Sequence, residues 1–412
     1  MNTYKLSNGV NLHIINTKKY KDVSLFINFY NNVSKDRICR ALLTNIIGNK
    51  SVKYNSKKAI TNKKDMLYGT SFSLNNITKA EAHIFQIHSK ILNEKFTLED
   101  TNNELFDFIY EIIENPIIDE DTLNESKEIL INKSLRKIDN PTSYSLSRLF
   151  EIYGKDNFIQ NLTILKKEEI EAISLDDLKS AYNSMITNDS IDIYIAGDVI
   201  DENIINKFKT YNIFLNNKKD KIKNQIDINP NYNDYYLEEE KNITQSCLIM
   251  TYKTNVDYNL DEYYALRVAN TYLGAVPGSL LFQQVREKNS LCYSINSSVF
   301  KEEGLLIIKT LINSDNSEKT ITLIKEQINK LKQNDFNFNE VKECLNLYTN
   351  IINGVSDDIS QTINMLYVSN IDNKEFDLEY DIKKMNEVTK DDIVNVINKL
   401  DLKIVYLLKE VK

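Results

Sequence analysis

Apolar residues recur along the chain with a period of two in some stretches and of three to four in others, and the switches between these rhythms predict the elements. Residues 3–16 read as two short alternating runs on either side of Asn8-Gly9, the dipeptide best suited to a type I′ turn, and predict a hairpin. Val23 to Tyr30 predicts a third strand. Ser34 or Asp36 suits the cap of a helix carrying Ile38, Leu42 and Ile46 on one face. Polar residues from Asn49 to Lys64 then interrupt the apolar pattern, and Thr70 to Asn75 and Ala82 to Ile91 predict two more strands. Leu105, Phe108, Ile109, Ile112 and Ile113 mark one face of a helix that Asn115-Pro116 ends. Helices are expected over 119–138, over 143–153 with Gly154 as its stop, and over 174–186, followed by a strand from Ile191 to Ala196.

From Leu215 to Asn233 the chain is poor in apolar residues and rich in Asn, Lys and Asp, the composition of an interdomain linker. Beyond it the pattern starts again. Ser246 to Lys253 predicts a strand, Leu260 to Leu273 a helix, and Ile295–Val299 and Leu305–Ile312 two strands turned by Gly304. Two helical faces follow, one with Ile321, Ile324, Ile328 and Leu331, the other with Val341, Cys344, Leu345 and Tyr348. Ile173-Ser174-Leu175-Asp176-Asp177-Leu178 and Val388-Thr389-Lys390-Asp391-Asp392-Ile393 lie 215 residues apart, each a capped helix start that leads to a strand. One unit used twice is the simplest account. The expected organisation is a domain over 1–214, a linker over 215–235 and a second domain over 236–412. Strands and helices come in runs without strict alternation, so each half is expected to be α+β, a mostly antiparallel sheet packed by helices.

At 412 residues the chain is long enough for two cores, and 42% hydrophobic with 27% charged residues describes an ordinary globular protein. A net charge of −8 argues against nucleic acid as a partner. The first residues, MNTYKLSNGVNLHII, lack the charged start and apolar core of a secretory signal, and no apolar run is long enough to cross a membrane, so a cytoplasmic chain without membrane insertion is expected. Cys39, Cys247, Cys292 and Cys344 are scattered, without a CxxC pair, and fit reduced thiols. The nine glycines make no GxGxxG, GxxxxGK or GxSxG pattern, which removes the main support for nucleotide-binding and serine-hydrolase readings.

The stretch from Gly274 to Ser298 carries the chemistry that packing does not explain. Pro277 and Ser279 suit a helix entry, Leu280, Leu281 and Val285 give an apolar stripe, and Arg286-Glu287-Lys288 closes it in charges. After Asn289-Ser290, Leu291, Tyr293 and Ile295 alternate with Cys292, Ser294 and Asn296 as the faces of a strand do. Arg286 and Tyr293 therefore flank one helix-to-strand turn, close enough to converge on a ligand. By themselves, an arginine in a last helical turn answers the helix dipole and a strand tyrosine packs. The segment resembles, however, the second-domain signature of the pitrilysin/insulinase-like metallopeptidases, with Phe282, Arg286, Glu287, Lys288, Leu291 and Tyr293 in the family's order. Weaker first-half markers are Lys5 to Gly9, Leu67-Tyr68-Gly69, Asn115-Pro116, Asp139-Asn140-Pro141 and Ile195 to Asp198. The resemblance spans essentially the whole chain and implies two similar α+β domains, with Arg286 and Tyr293 as substrate-binding residues.

Active members of that family carry HxxEH on the first long helix, two histidines one turn apart on zinc and a glutamate that takes a proton from the bound water. Here the corresponding helix reads Arg40-Ala41-Leu42-Leu43-Thr44, and the chain's histidines are His13, His83 and His88. His83 and His88 are five apart on an expected strand and so face opposite sides. The place of the family's third ligand falls near Asn132, with Glu125 and Glu128 nearby as a solvated helix face. No metal ligand and no catalytic residue is therefore expected in this chain. The resemblance implies a non-catalytic, substrate-binding subunit, inactive alone, whose partner is a homologous HxxEH-bearing chain that brings the zinc. The pair would process peptides, including precursors of ribosomally made ones. The alternative is a structural or scaffolding homologue with no substrate contact.

Overall fold

Gly9 has φ +70°, the left-handed conformation the first hairpin needs, and joins β1 (Asn2–Ser7) to β2 (Val10–Asn16). A computed structural model describes this chain over residues 1–32, 36–79, 81–97, 100–154, 158–219, 235–355, 357–372 and 376–411. After the hairpin come β3 (Asp22–Asn32), α1 (Arg37–Ile46), α2 (Lys57–Met66), β4 (Ser71–Lys79), β5 (Ala82–Leu92), α3 (Thr101–Glu114), α4 (Glu120–Asp139) and α5 (Pro141–Tyr153). Then follow α6 (Lys167–Glu171), α7 (Leu175–Asn188), β6 (Ser190–Gly197), α8 (Asp201–Phe208) and α9 (Asn212–Leu215). The second half runs β7 (Tyr235–Lys241), β8 (Ser246–Lys253), α10 (Glu262–Asn270), β9 (Cys292–Phe300), β10 (Leu305–Ile312), α11 (Ser317–Lys332) and α12 (Phe338–Val355). It ends with α13 (Ile359–Ile371), α14 (Leu378–Glu387), α15 (Lys390–Asn398) and β11 (Asp401–Glu410).

The strands form two sheets, ordered β1-β2-β6-β3-β5-β4 and β7-β11-β8-β10-β9. From β2 and from β7 onward the two orders correspond strand for strand. So do the pairing senses: β2 is parallel to β6 and β7 to β11, and every other pair is antiparallel. The α+β class and the use of one unit twice are thus visible in the topology. Capping boxes at Ser174/Asp177 and Thr389/Asp392 open the matched helices α7 and α15.

The compact units are not the contiguous halves 1–214 and 236–412. One consists of Met1–Leu135, Leu165–Gln225 and Asp358–Lys374, the other of Arg136–Ile164, Ile226–Asp357 and Glu375–Lys412. Each half lends the other unit one helix, α5 and α13, and the two occupy matched places in the repeat. Both faces of each sheet are apolar, which is why the loan is needed. In the first unit, Leu25, Ile27, Phe29, Phe85, Ile87 and Ile193 pack under α1, α3 and α7, while Phe26, Tyr30, Ile84 and Tyr194 on the other face pack against Ile359, Ile363 and Tyr367 of α13. In the second, Leu248, Met250, Leu306 and Leu407 face α10–α12 and α15, and Cys247, Ile249, Ile307 and Tyr406 face Leu149, Phe150 and Tyr153 of α5. Of the expected linker, residues 215–219 lie in the first unit, where Lys218 N donates to Asn8 O at 2.8 Å, residue 235 opens β7, and 220–234 lie outside the described residues. Ser34, one of the two cap candidates for α1, also lies outside them, and Asp36 stands at the N-cap position, its side chain making no capping bond to the helix. The polar run 49–64 hides α2, a surface helix capped by Ser56 whose one buried residue is Ile60.

Ile363 is fully buried on α13. Ile363→Ala is expected to cost about 2–5 kcal/mol and, in hydrogen exchange, to loosen β3, β5 and β6, strands that all lie in the first half of the sequence. Unchanged protection in those strands would show that α13 is not part of their core.

Candidate functional site

In the second unit the helix from Glu262 does not stop at Asn270. It runs on through a wide π-type turn at Thr271–Ala275, and a second π-type turn forms Phe282–Glu287. In the latter, Lys288 N donates to Gln283 O at 2.9 Å, five residues back. Gly274 lies so close to β9 that a Cβ there would meet Ser297 Oγ at 2.7 Å, and Ser297 Oγ donates to Asn270 Oδ1 at 2.7 Å, pinning this turn onto the strand. The chain reverses through Ser290, a non-glycine residue with φ +52°, where Ser290 N donates to Arg286 O and Leu291 N to Val285 O.

Arg286 is exposed, and its guanidinium lies over the Phe282 ring, 4.4 Å from the centroid. No acidic side chain pairs with it among the described residues. The stack is worth about 0.5–1 kcal/mol at an exposed position, enough to bias the side chain's pose while leaving its N–H groups free to donate. Tyr293 is 81% exposed. It sits where the alternation expected for this strand breaks: Ile295 pairs with Thr310 and Cys292 with Ile312, so Tyr293 and Ser294 together lie opposite the single residue Leu311. This is a β-bulge, held by Thr310 Oγ1 donating to Ser294 O at 2.9 Å, and bulges re-aim side chains. Leu291, expected within the strand, precedes it and is buried. β9 is an edge strand and packs against the turn that carries Arg286. The structure thus places both sequence-predicted residues on one helix-to-strand unit, each presenting a donor to solvent.

In the first unit, the helix that would carry a zinc motif is α1. Arg40 is fully buried there and makes two bonds to Asp189, Nη1 to Oδ2 at 2.5 Å and Nη2 to Oδ1 at 2.9 Å. Asn31 Nδ2 adds a bond to Asp189 Oδ1 at 2.9 Å. Leu43 is buried in the core, and Thr44 Oγ1 donates to Ala41 O. These residues do not fit a zinc ion: a permanent cation fills the first ligand position, and the second and the base position carry no free imidazole or carboxylate. Among the described residues no group of three or more His, Cys, Asp or Glu is arranged to hold a metal. Asn132 and Glu128 are exposed on α4, and Glu125 pairs with Lys57.

His83 and His88 point to opposite faces of β5, as strand parity requires. His88 stacks on Phe26 at 4.1 Å and meets Ser360 of α13, with Nε2 3.2 Å from Oγ. His83 is fully buried, with no hydrogen-bond partner on either ring nitrogen among the described residues. Burial, reinforced by the Arg40 and Arg37 charges, pushes its pKa down to about 3. Asp189 is shifted the other way, raised by burial against the pull of Arg40 and Asn31. Sequence reading found Arg40 as a lost ligand but not its partner, because Asp189 is 149 residues away and carries no local signal. The bulge at Tyr293-Ser294 and the π-type turns were likewise invisible in the pattern of apolar positions.

A duplicated α+β chain with an arginine–aspartate pair in place of zinc-helix histidines has the build of a metallopeptidase homologue without its metal motif. Residues 172–348 match the family described as Peptidase M16 inactive domain. A probable inactive metalloprotease of Bacillus subtilis, YmfF, is 26% identical over 97% of this chain and 96% of its own length. Solved structures share the fold, among them the following two. A conserved protein from Enterococcus faecalis superposes with a TM-score of 0.90 at 24% identity, covering 100% of this chain and 98% of that one. The peptidase M16 inactive domain from Pseudomonas fluorescens superposes with a TM-score of 0.82 at 18% identity, covering 100% and 99%. Over residues 172–348, and at 26% identity over nearly its whole length, the chain is similar to M16 peptidase homologues of the inactive type.

Two outcomes follow from the buried charges. Arg40→Ala leaves Asp189 buried without its cation and is expected to destabilise the chain by about 3–5 kcal/mol, whereas Arg40→Met with Asp189→Leu should recover most of that in urea titrations. His83 stays neutral in the folded chain down to about pH 3, while the unfolded chain binds a proton below about 6.5. The unfolded state therefore holds more protons between these values, and stability falls as pH falls through that window. His83→Gln should remove this part of the slope, read as the difference between variant and parent urea midpoints from pH 7 to 4.

Proposed function

We propose that the chain is the non-catalytic, substrate-binding subunit of a two-chain zinc peptidase, paired with a homologous chain that carries HxxEH. The observation that carries this reading is the asymmetry between the two units. Where the metal would sit, α1 is committed to a buried ion pair, while Arg286 and Tyr293 are exposed, without acidic partners among the described residues, and set on a π-type turn and a bulge. Arg286 would donate to peptide carbonyl oxygens and to negative charge that develops beside the partner's zinc. Tyr293 would donate from its hydroxyl. Each is assigned a donor's role, with the attacking water and its base on the partner chain.

The reading also draws on the relatives: a chain similar over its whole length is described as a probable inactive metalloprotease. The substrate class proposed is an extended peptide, with precursors of ribosomally made peptides as the narrower candidate. The test is reconstitution. Co-purified with an HxxEH-bearing homologue, the chain should support zinc-dependent peptide cleavage, and Arg286→Ala or Tyr293→Phe should each lower the rate by about 10²–10³-fold, as loss of one such donor does. Full activity in both variants would leave a scaffolding role instead. Tight zinc and cleavage in the isolated chain would sink the division of labour altogether.

A further inference from the structure

His13, unlike His83, has a partner on each ring nitrogen. It stands opposite Thr3 in the β1–β2 hairpin, and its Nδ1 lies 2.9 Å from Thr3 Oγ1. Its Nε2 lies 3.3 Å from Asp192 Oδ1 of β6, the same oxygen to which Asn11 Nδ2 donates at 3.2 Å. The imidazole is stacked on the Tyr194 ring with centroids 4.3 Å apart, so its plane is held as well as its edges. His13 and Asp192 are buried, while Thr3 is exposed on the edge strand β1. A carboxylate accepts and does not donate, so the proton of a neutral ring sits on Nε2 and Nδ1 is left as an acceptor. The exposed Thr3 hydroxyl then donates to it. A hydroxyl in hydrogen-bond reach of a base that a third group orients is the arrangement that activates a nucleophile. Ser360 and His88 make the contrast: Oγ and Nε2 are 3.2 Å apart, but no carboxylate bonds the other ring nitrogen of His88 among the described residues.

We propose that Thr3 is an acyl-accepting nucleophile toward activated esters, with His13 as its base and Asp192 as a positioning residue. Thr3 Oγ attacks the ester carbonyl carbon, and its proton passes to His13 Nδ1. The bond from that carbon to the leaving oxygen breaks, and the departing alcohol takes the proton from the imidazole. Water then attacks the acyl group on Thr3, giving one proton through the same ring back to the threonine oxygen. One ester and one water thus become one acid and one alcohol, with no other reactant. Thr3, His13, Asp192 and Tyr194 all belong to the first unit, and the site does not rest on the pairing with an HxxEH chain.

The experiment treats the full chain with p-nitrophenyl acetate, follows p-nitrophenolate release by absorbance and maps the acetyl group by mass spectrometry of the digested protein. The acetyl group should be found on Thr3 and not on Ser360. Thr3→Val should remove it with the fold intact by circular dichroism, and Thr3→Ser should keep it. His13→Gln should slow acetylation of Thr3 by about 10²-fold or more, the scale of general-base assistance. In a chain carrying ¹⁵N-labelled histidine, Asp192→Asn should move the His13 ring proton off Nε2, a tautomer change that looser packing alone does not produce, and the rate should fall with it. If His13→Gln does not fold, the two exposed Thr3 variants still decide the matter. The proposal is overturned if acetyl is confined to lysines, if Ser360 is modified as readily as Thr3, if folded His13→Gln reacts as the parent does, or if Asp192→Asn leaves both tautomer and rate unchanged. None of these readouts needs a second chain, so this site and the peptidase-subunit reading can each fail without the other.

Discussion

Both faces of each sheet are apolar, and that constraint organises the molecule. A strand such as Ser246–Lys253, buried along nearly its whole length, cannot leave one face to water. The helices that follow it in sequence cover only one side. The remaining face, of order a dozen large side chains, needs a further helix, and the chain supplies it by sending α5 into the second unit and α13 into the first. Burial on this scale, at roughly 25 cal/mol per Å² of apolar surface, exceeds anything the surface ion pairs contribute. Each unit's core is therefore built from both halves of the sequence.

Within that frame the two units have spent their repeated architecture differently. In the first, α1 and the end of α7 are tied by Arg40 and Asp189, both without exposure, and a neutral His83 lies near that charge. A buried ion pair is a poor source of stability against an apolar replacement, but removing one member is costly. It fixes the relation of α1 to the start of β6, and it fills the place where a metal-binding homologue needs imidazoles. The first unit of this chain is thus committed to structure at the position where the sequence resemblance would put a zinc motif.

The second unit concentrates its irregularities instead. Two π-type turns, a left-handed serine and a bulge fall within the span from Thr271 to Ser294. Each departs from the best backbone hydrogen bonding available, and such departures persist where surrounding packing over-determines them. Here the surroundings are the near contact of Gly274 with Ser297 and the Asn270–Ser297 bond. The result is two exposed donors on a well-anchored base, a build consistent with binding and unnecessary for packing.

The alternation of apolar residues marked the strands because each face of a sheet must be one kind of surface, and it marked α3, α11 and α12 because their apolar stripes are wide. The local signature from Phe282 to Tyr293 marked the candidate site, and the absence of histidines on α1 marked what that helix cannot do. None of this reached α2, whose contact with the core is one isoleucine, or the exchange of α5 and α13, since an apolar helical face does not state which sheet it will cover. The partner of Arg40, 149 residues away, and the bulge that displays Tyr293 depend on which strands meet and in what register. Sequence determined the elements and the chemistry available to them; the tertiary structure alone decided which surfaces were closed by distant segments and which side chains were left facing water, because those outcomes are properties of pairs of surfaces and not of any one stretch.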